Sequence, residues 1–181
     1  MPTTTSGLAV TIKINELKFA VMNKTHVTAR SLQAIGKLNY EAAAHMQVSE
    51  DPENSYELIR AINDAIAETK VELGEYLNAV TTSTSNRISG SVEGVNANGS
   101  ANSDPEVVLN FDMPSNFNSA AADALGAGIH EFVVGRTIYA WYRQTFPDIA
   151  EACRVDADAA LEKAKKALYK RSRPTRPTYG A

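Results

Sequence analysis

Residues 118–146 read NSAAADALGAGIHEFVVGRTIYAWYRQTF, and this stretch decides the fold of the chain. Its apolar side chains recur at steps of three, four or seven residues, which predicts a helix. Further apolar residues widen that face well beyond one stripe, so the helix needs burial on most sides. We therefore expect a central helix, covered by its own domain or in part by a neighbouring copy. Asn118 and Ser119 can cap its first turn.

Three glycines, Gly126, Gly128 and Gly135, lie within this predicted helix. Each lowers the helix propensity by about 1 kcal/mol relative to alanine. Glycine at such positions is favoured where another backbone packs closely. The glycines therefore predict close contact between the central helix and a neighbouring element.

A second helix is predicted over residues 149–171, after a tight corner at Pro147. Proline disfavours helix in the residue before it and suits the first helical turn. Alanine and leucine occupy one side of this helix, which permits close packing. Its acidic residues precede its lysines, the order that complements the helix dipole.

The end of the chain, residues 171–181, reads RSRPTRPTYGA and is predicted to be an extended basic arm, because two prolines exclude a helix. All acidic residues precede Lys163, so residues 1–162 carry a net charge of −10 and residues 163–181 carry +7. Such an end can dock on a second copy, an acidic protein or nucleic acid, and the sign of the charge does not distinguish them. The candidate partner-binding residues are Lys170, Arg171, Arg173, Pro174, Arg176, Pro177 and Tyr179.

The amino-terminal part predicts one strand and at least two helices. Residues 8–14 alternate between apolar and polar, which indicates a strand with one buried face. Asn15 can cap a short helix over residues 16–23, whereas residues 24–48 are ambiguous, with helical composition at 29–38 and 41–46. Pro52 follows three capping or acidic residues and predicts the start of an amphipathic helix of about eight turns, to residue 80. This helix is expected to pack on the central one.

Residues 81–104 are small, polar and turn-prone, and loops of this length are usually functional or disordered. Ile88, Val92 and Val95 could support a weak hairpin within this loop. Residues 105–113 alternate again and predict a second strand, which either pairs with the first strand or flanks the loop.

The predicted fold class is mainly α: a helical bundle of three to four helices with a small β element of two or more strands and a long polar loop. An α+β fold is the alternative. With 181 residues and 44% hydrophobic content, the chain can bury one sizeable core. Residues 1–170 are expected to form a single domain that contains the loop at 81–104, and residues 171–181 form the arm.

Motifs for catalysis or metal binding are missing from the sequence. His130 precedes Glu131 on a helix, but the zinc protease pattern needs a second histidine where the chain has Val134. The three histidines are scattered: His26, His45 and His130. Cys153 lies on an alanine-rich face and is predicted to be a buried, inert thiol. We expect no enzyme activity, no cofactor and no metal site.

The amino-terminal residues are polar, and no apolar stretch reaches about 18 residues. Neither a signal peptide nor a membrane span is predicted. A soluble protein made in a cytosol is the expectation.

Several short motifs carry a resemblance to a known group. They are the alternating amino-terminal strand, Asn23-Lys24-Thr25, Asp51-Pro52-Glu53-Asn54, MPSNFN at residues 113–118, and KRSRPTR at residues 170–176. Together they resemble a group of small virion proteins encoded by tailed phages and prophages of Bacteroides-type bacteria. More loosely, a helical bundle with a long loop and a carboxy-terminal arm is similar to head-tail connector, or adaptor, proteins.

The resemblance implies a structural subunit of the virion, assembled in the cytoplasm of the host bacterium. Connector proteins form a ring under the portal, commonly of twelve copies. The likeness therefore implies a homo-oligomer, an arm that docks on the portal or on neighbouring neck or tail proteins, and a lumen through which DNA passes without sequence-specific contact. The alternatives are another neck or tail ring or completion protein, and an accessory protein that binds nucleic-acid phosphates through residues 163–176.

Overall fold

The computed structural model describes residues 5–48, 52–78 and 105–173 of the chain. Within these residues, five α-helices accompany one two-stranded antiparallel sheet, which confirms the mainly α class with a small β element. The elements are β1 Thr5–Lys13, α1 Ile14–Ala34, α2 Tyr40–Met46, α3 Pro52–Glu72, β2 Glu106–Pro114, α4 Ala122–Tyr142 and α5 Pro147–Leu168. Short 3-10 turns cover Gly74–Tyr76 and Ser119–Ala121. The predicted loop at 81–104 and its hairpin lie outside the described residues.

The central position predicted for α4 is confirmed. This helix contacts α5 along its length, α3 and α1 at its sides, and β1 near its start. Its buried side chains include Leu125, Ile129, Phe132, Val133 and Ile138. All large apolar side chains of α4 are buried or half-buried. The cover that this helix needs therefore comes from its own chain.

Two of the three glycines in α4 lie where α5 approaches most closely, as predicted. A Cβ atom on Gly128 would lie 3.0 Å from the carbonyl oxygen of Ala160, and one on Gly135 would lie 2.8 Å from the Cβ of Ala157. A Cβ atom on Gly126 would meet only Val10, at an ordinary 3.9 Å. The close approach thus explains Gly128 and Gly135 but not Gly126.

The sheet pairs the two predicted strands with each other. Their antiparallel register runs from Thr5 opposite Pro114 to Lys13 opposite Glu106. The inner face of β2 is fully apolar and buried, as its alternation predicted: Val107, Leu109, Phe111 and Met113. This face and the inner face of β1 join the core that surrounds α4.

The predicted short helix at 16–23 was wrong in length and in its cap. The helix begins at Ile14, its N-cap residue Lys13 makes no side-chain capping bond, and it continues to Ala34. Thr25 and Ala29 extend its buried face at four-residue steps, which the weakly apolar pattern concealed. Residues 24–48 therefore belong to the end of α1, a turn, and α2. The turn includes Gly36, whose φ of 71° lies in the left-handed region that favours glycine.

Two predicted helix ends were also wrong. The start of α3 at Pro52 is confirmed, but the helix ends at Glu72 and not near residue 80, because Leu77 leaves it to bridge Phe111 of β2. Residue 80 lies outside the described residues. The last helix ends at Leu168, its last buried residue, and not at residue 171.

Candidate partner-binding site at the carboxy-terminal end of α5

Hydrogen bonds attach the basic end of the chain to the domain. Arg171 forms an antiparallel bridge with Phe117, and the Ser172 amide donates to the carbonyl of Asn116 at 2.7 Å. The Asn118 amide donates to the carbonyl of Lys170 at 3.1 Å. We call this pairing of residues 116–118 with residues 170–172 the clasp. The first two residues of the predicted arm, 171 and 172, are thus held by their own chain.

Local chemistry accounts for both sides of the clasp. The Phe117 amide donates to the carbonyl of Pro114 at 2.8 Å, so a tight turn follows β2 directly. The Asn118 side chain then accepts a hydrogen bond from the amide of Ala120, which caps the 3-10 turn before α4. On the other side, the Arg171 guanidinium donates to the carbonyl of Leu168 at 2.7 Å. A cation there satisfies a terminal carbonyl and complements the dipole of α5.

Positive charge accumulates around the clasp. Lys163, Lys166, Lys170 and Arg173 are exposed, and none of them forms an ion pair within the part of the chain that the structure describes. Lys165 differs, because its ammonium group lies 2.7 Å from a carboxylate oxygen of Glu72, a contact that raises the pKa of this lysine. The remaining cations face solvent and leave a net positive surface at this end of the domain.

Two tyrosines flank this surface. Tyr76 and Tyr169 meet edge to face, with ring centroids 5.6 Å apart and planes at 87°. A side-chain hydrogen bond with Tyr169, followed by burial, raises the pKa of Tyr76 to about 12. The contact ties the turn after α3 to the end of α5. Since Tyr169 remains 58% exposed, it offers an aromatic surface beside the cations.

Both ends of the described chain lie at this end of the domain. Thr5 is opposite Pro114 in the sheet, and Asn116, two residues further on, holds Ser172. The start of β1 and the exit of the chain after Arg173 are therefore close to each other. We refer to this region, with the clasp and the surrounding cations, as the basic pole.

The structure places three of the seven candidate residues at the basic pole: Lys170, Arg171 and Arg173. The other four lie outside the described residues: Pro174, Arg176, Pro177 and Tyr179. The sequence reasoning missed the partners of the clasp in residues 116–118. The turn-forming residues Pro114, Ser115 and Asn116 were a visible signal of a turn, but nothing in them indicated the segment that they contact.

A second surface feature is an open groove of about 570 Å³ between α3 and α4. Its charged lining residues are three acids and three arginines: Glu57, Asp64, Glu68, Arg60, Arg136 and Arg143. Arg136 forms a two-pronged ion pair with Glu68, and its guanidinium lies over the rings of Phe132 and Tyr139 at 5.7 and 5.8 Å. The charges balance and Arg136 is fully engaged, so the groove favours no charged ligand.

Chemically reactive groups are few in the described residues. No three histidine, cysteine, aspartate or glutamate side chains among them are placed to hold a metal ion. Burial, and next the charge of Asp156, raises the pKa of the half-buried Cys153 thiol, which makes its reactive thiolate rarer. The helices within these residues include none that is long and apolar enough to cross a bilayer.

No protein-family model, curated protein or solved structure matches the chain in comparisons with known proteins. Indications of function therefore come from the residues and their arrangement, and the most distinctive arrangement is the basic pole.

Proposed function

We propose that the chain is a structural subunit of a tailed-phage head-tail connector ring, which docks on the portal and frames the DNA channel. The observation that carries the proposal is the basic pole. Cations without acidic partners surround a clasp that fixes the direction in which the chain continues. Together with the motif resemblance described above, this arrangement suits a protein whose task is assembly.

The clasp fixes the position at which the arm leaves the domain. Because residues 170–172 are bonded to residues 116–118, the chain beyond Arg173 starts from a defined point on the domain. That remaining segment adds Arg176, Tyr179 and two prolines. Proline favours extended conformations and lacks the amide that a regular strand requires. An acidic groove on a portal or a neighbouring subunit is therefore the receptor that fits such a segment.

The same cations suit a channel for DNA. Contacts between lysine or arginine and phosphate carry no sequence information, so a ring lined with them would let any duplex pass. Lys163 and Lys166 are exposed on the last turns of α5 and are suited to this role.

The test uses the full chain with a purified portal protein from the genome that encodes it. Light scattering coupled to size-exclusion chromatography measures the mass of the chain alone and of the mixture. We expect a complex of ring size with the portal. A variant that ends at Arg173 lacks only residues outside the described domain, so it should keep its circular dichroism spectrum and lose portal binding.

A matched control distinguishes docking by the arm from a general effect of positive charge on portal binding. The double variant Lys163→Ala, Lys166→Ala removes two exposed cations but retains the arm, and it should still bind the portal. If the chain that ends at Arg173 binds the portal as well as the full chain does, the docking role of the arm is refuted.

The exposed cations also favour a second candidate, an accessory protein that binds nucleic acid. This candidate predicts affinity for duplex DNA without any portal, with a binding constant that falls steeply as salt rises. Fluorescence anisotropy with a labelled duplex at several salt concentrations measures it. Tight, salt-sensitive DNA binding together with no portal complex would replace the connector proposal by this one.

A further inference from the structure

The two edges of the small sheet differ in how they are covered. At the outer edge of β2, Leu77 bridges Phe111, and the Asn78 amide donates to the carbonyl of Asn110 at 2.8 Å. The outer edge of β1 has no backbone partner among residues 5–48, 52–78 and 105–173. An open strand edge is a template for pairing with another strand.

The alternation of hydrogen bonds along the β1–β2 ladder shows which backbone groups of β1 face away from β2. The Ile14 amide donates to the carbonyl of Pro105 at 2.9 Å, directly after the last paired residues of the ladder. Bonded and non-bonded pairs alternate in an antiparallel ladder, so the even-numbered residues of β1 bond to β2. The outward amide and carbonyl groups therefore belong to the odd-numbered residues Gly7, Ala9 and Thr11, all of which are exposed.

Residues 7–12 of β1 do not guard this edge. Natural edges are protected by proline, bulges or charged side chains, but residues 7–12 contain no proline and no charge, and the register with β2 is regular. Gly7 consists of backbone alone, and no atom lies within 4 Å of the position that a Cβ would occupy there. Among the residues that the structure describes, none therefore blocks the outer backbone edge of β1.

The apolar face of the sheet is incompletely covered along the outer edge of β1. Leu8 and Val10 point to the core face but are only half-buried, whereas their cross-strand partners Phe111 and Leu109 are 0% exposed. The unburied apolar surface lies along the open edge. One added strand would cover it and satisfy the outward backbone groups together.

We propose that the outer edge of β1 pairs with β1 of a second copy of this chain, antiparallel about a twofold axis at Ala9. The strand Thr5–Lys13 is centred on Ala9, so this register pairs all nine of its residues. Ala9 then lies opposite its own counterpart, and Leu8 lies opposite Val10 of the second copy on the apolar face. The two sheets become one four-stranded sheet with the helices of both copies on one side.

One acidic side chain, Asp112, lies near the end of the strand that receives Lys13 of the second copy, although the cations of the basic pole lie at the same end of the sheet. Lys13 of the second copy lies opposite Thr5, at the end of the sheet where Asp112 is exposed. Gly7 is opposite Asp112 and has no side chain to separate the two charges. The two lysines at position 13 are about 26 Å apart, eight residues at roughly 3.3 Å each, so they do not repel each other strongly.

This twofold contact joins two copies and does not by itself extend into a ring. It is independent of the connector proposal, because it is measured on the chain alone, whereas that proposal is measured by portal binding.

Site-directed crosslinking tests the register in the full chain with Cys153→Ser. Opposed residues of a bonded pair have Cα atoms about 5.5 Å apart, within the range that a disulfide spans. Ala9→Cys should therefore form a covalent dimer under mild oxidation. Thr11→Cys is the matched control, because its two copies would be about 13 Å apart, and it should crosslink far less. Equal crosslinking of the two variants, or none of Ala9→Cys, would overturn the register.

A proline variant tests the pairing itself by sedimentation equilibrium. Ala9→Pro removes only an outward amide, so the ladder with β2 should remain and the circular dichroism spectrum should not change. Its dimer dissociation constant should rise roughly ten- to hundredfold, because two inter-strand hydrogen bonds are lost, one from each copy. Ala9→Ser keeps the amide and should dimerise like the parent. A monomeric parent chain, or a folded Ala9→Pro variant with unchanged affinity, refutes the proposal; if Ala9→Pro does not fold, the crosslinking pair decides.

Discussion

Replacing Gly135 with alanine should destabilise the protein, although the same change usually stabilises a helix. A Cβ atom at this position would lie 2.8 Å from the Cβ of Ala157 and 3.3 Å from both the Cα of Ala157 and the carbonyl oxygen of Cys153. These atoms belong to the backbone of α5 or to a short side chain, so relief requires the two helices to separate. Overpacking of this kind costs about 1–3 kcal/mol, and the gain in helix propensity is about 1 kcal/mol. We expect a net loss of up to about 2 kcal/mol, with a central value of about 1 kcal/mol.

Urea denaturation followed by circular dichroism measures this loss. With a slope of about 2 kcal/mol per molar urea, the midpoint should fall by up to about 1 M, with a central value of about 0.5 M. Gly126→Ala is the matched control in the same helix, because its Cβ meets only Val10 at 3.9 Å. It should be neutral or more stable, by up to about 1 kcal/mol. If Gly135→Ala is at least as stable as the parent, the close approach of α4 and α5 at this point is refuted.

Four further results are expected. Glu68→Gln should lower the free energy of unfolding by about 1 kcal/mol, because it removes the charge that Arg136 contacts in a partly exposed pair; a double-mutant cycle by urea denaturation measures the coupling. Tyr169→Phe should lower the pKa of Tyr76 from about 12 towards 10.0, the ordinary value, as followed by NMR of labelled tyrosine. In the parent, the stabilisation linked to that raised pKa should be present below pH 10 and lost as the pH rises towards 12. Cys153 should react with a disulfide reagent more slowly than free cysteine at pH 8, since burial raises its pKa.

The sequence was sufficient to predict an element where its buried apolar side chains recur at a regular spacing. The alternation in both strands predicted them and allowed their pairing, and the broad apolar face of α4 predicted its central place. It was not sufficient for α1, whose buried residues beyond Val21 are Thr25 and Ala29. A threonine whose hydroxyl bonds the carbonyl of Met22 can be buried without an apolar signal.

The end of α3 shows the opposite error. Leu73 and Leu77 keep the four-residue spacing of a helix, but Leu77 lies beyond the end of α3. Its apolar side chain packs where the chain bridges the edge of β2. Periodicity reports burial and not the element that carries it. At the basic pole the charge was visible in the composition, but the clasp pairs segments far apart in the chain, a contact that local patterns do not encode.

The sheet joins strands roughly a hundred residues apart, and this separation sets an order of events during synthesis. At about 5–20 residues per second, β1 leaves the ribosome roughly 5–20 seconds before its partner does. The first strand must wait unpaired while α1 and α3 form. Because β2 and α4 follow each other directly, the nascent chain gains its sheet and its central helix almost together, and the core closes only when α5, which covers α4 along its length, follows.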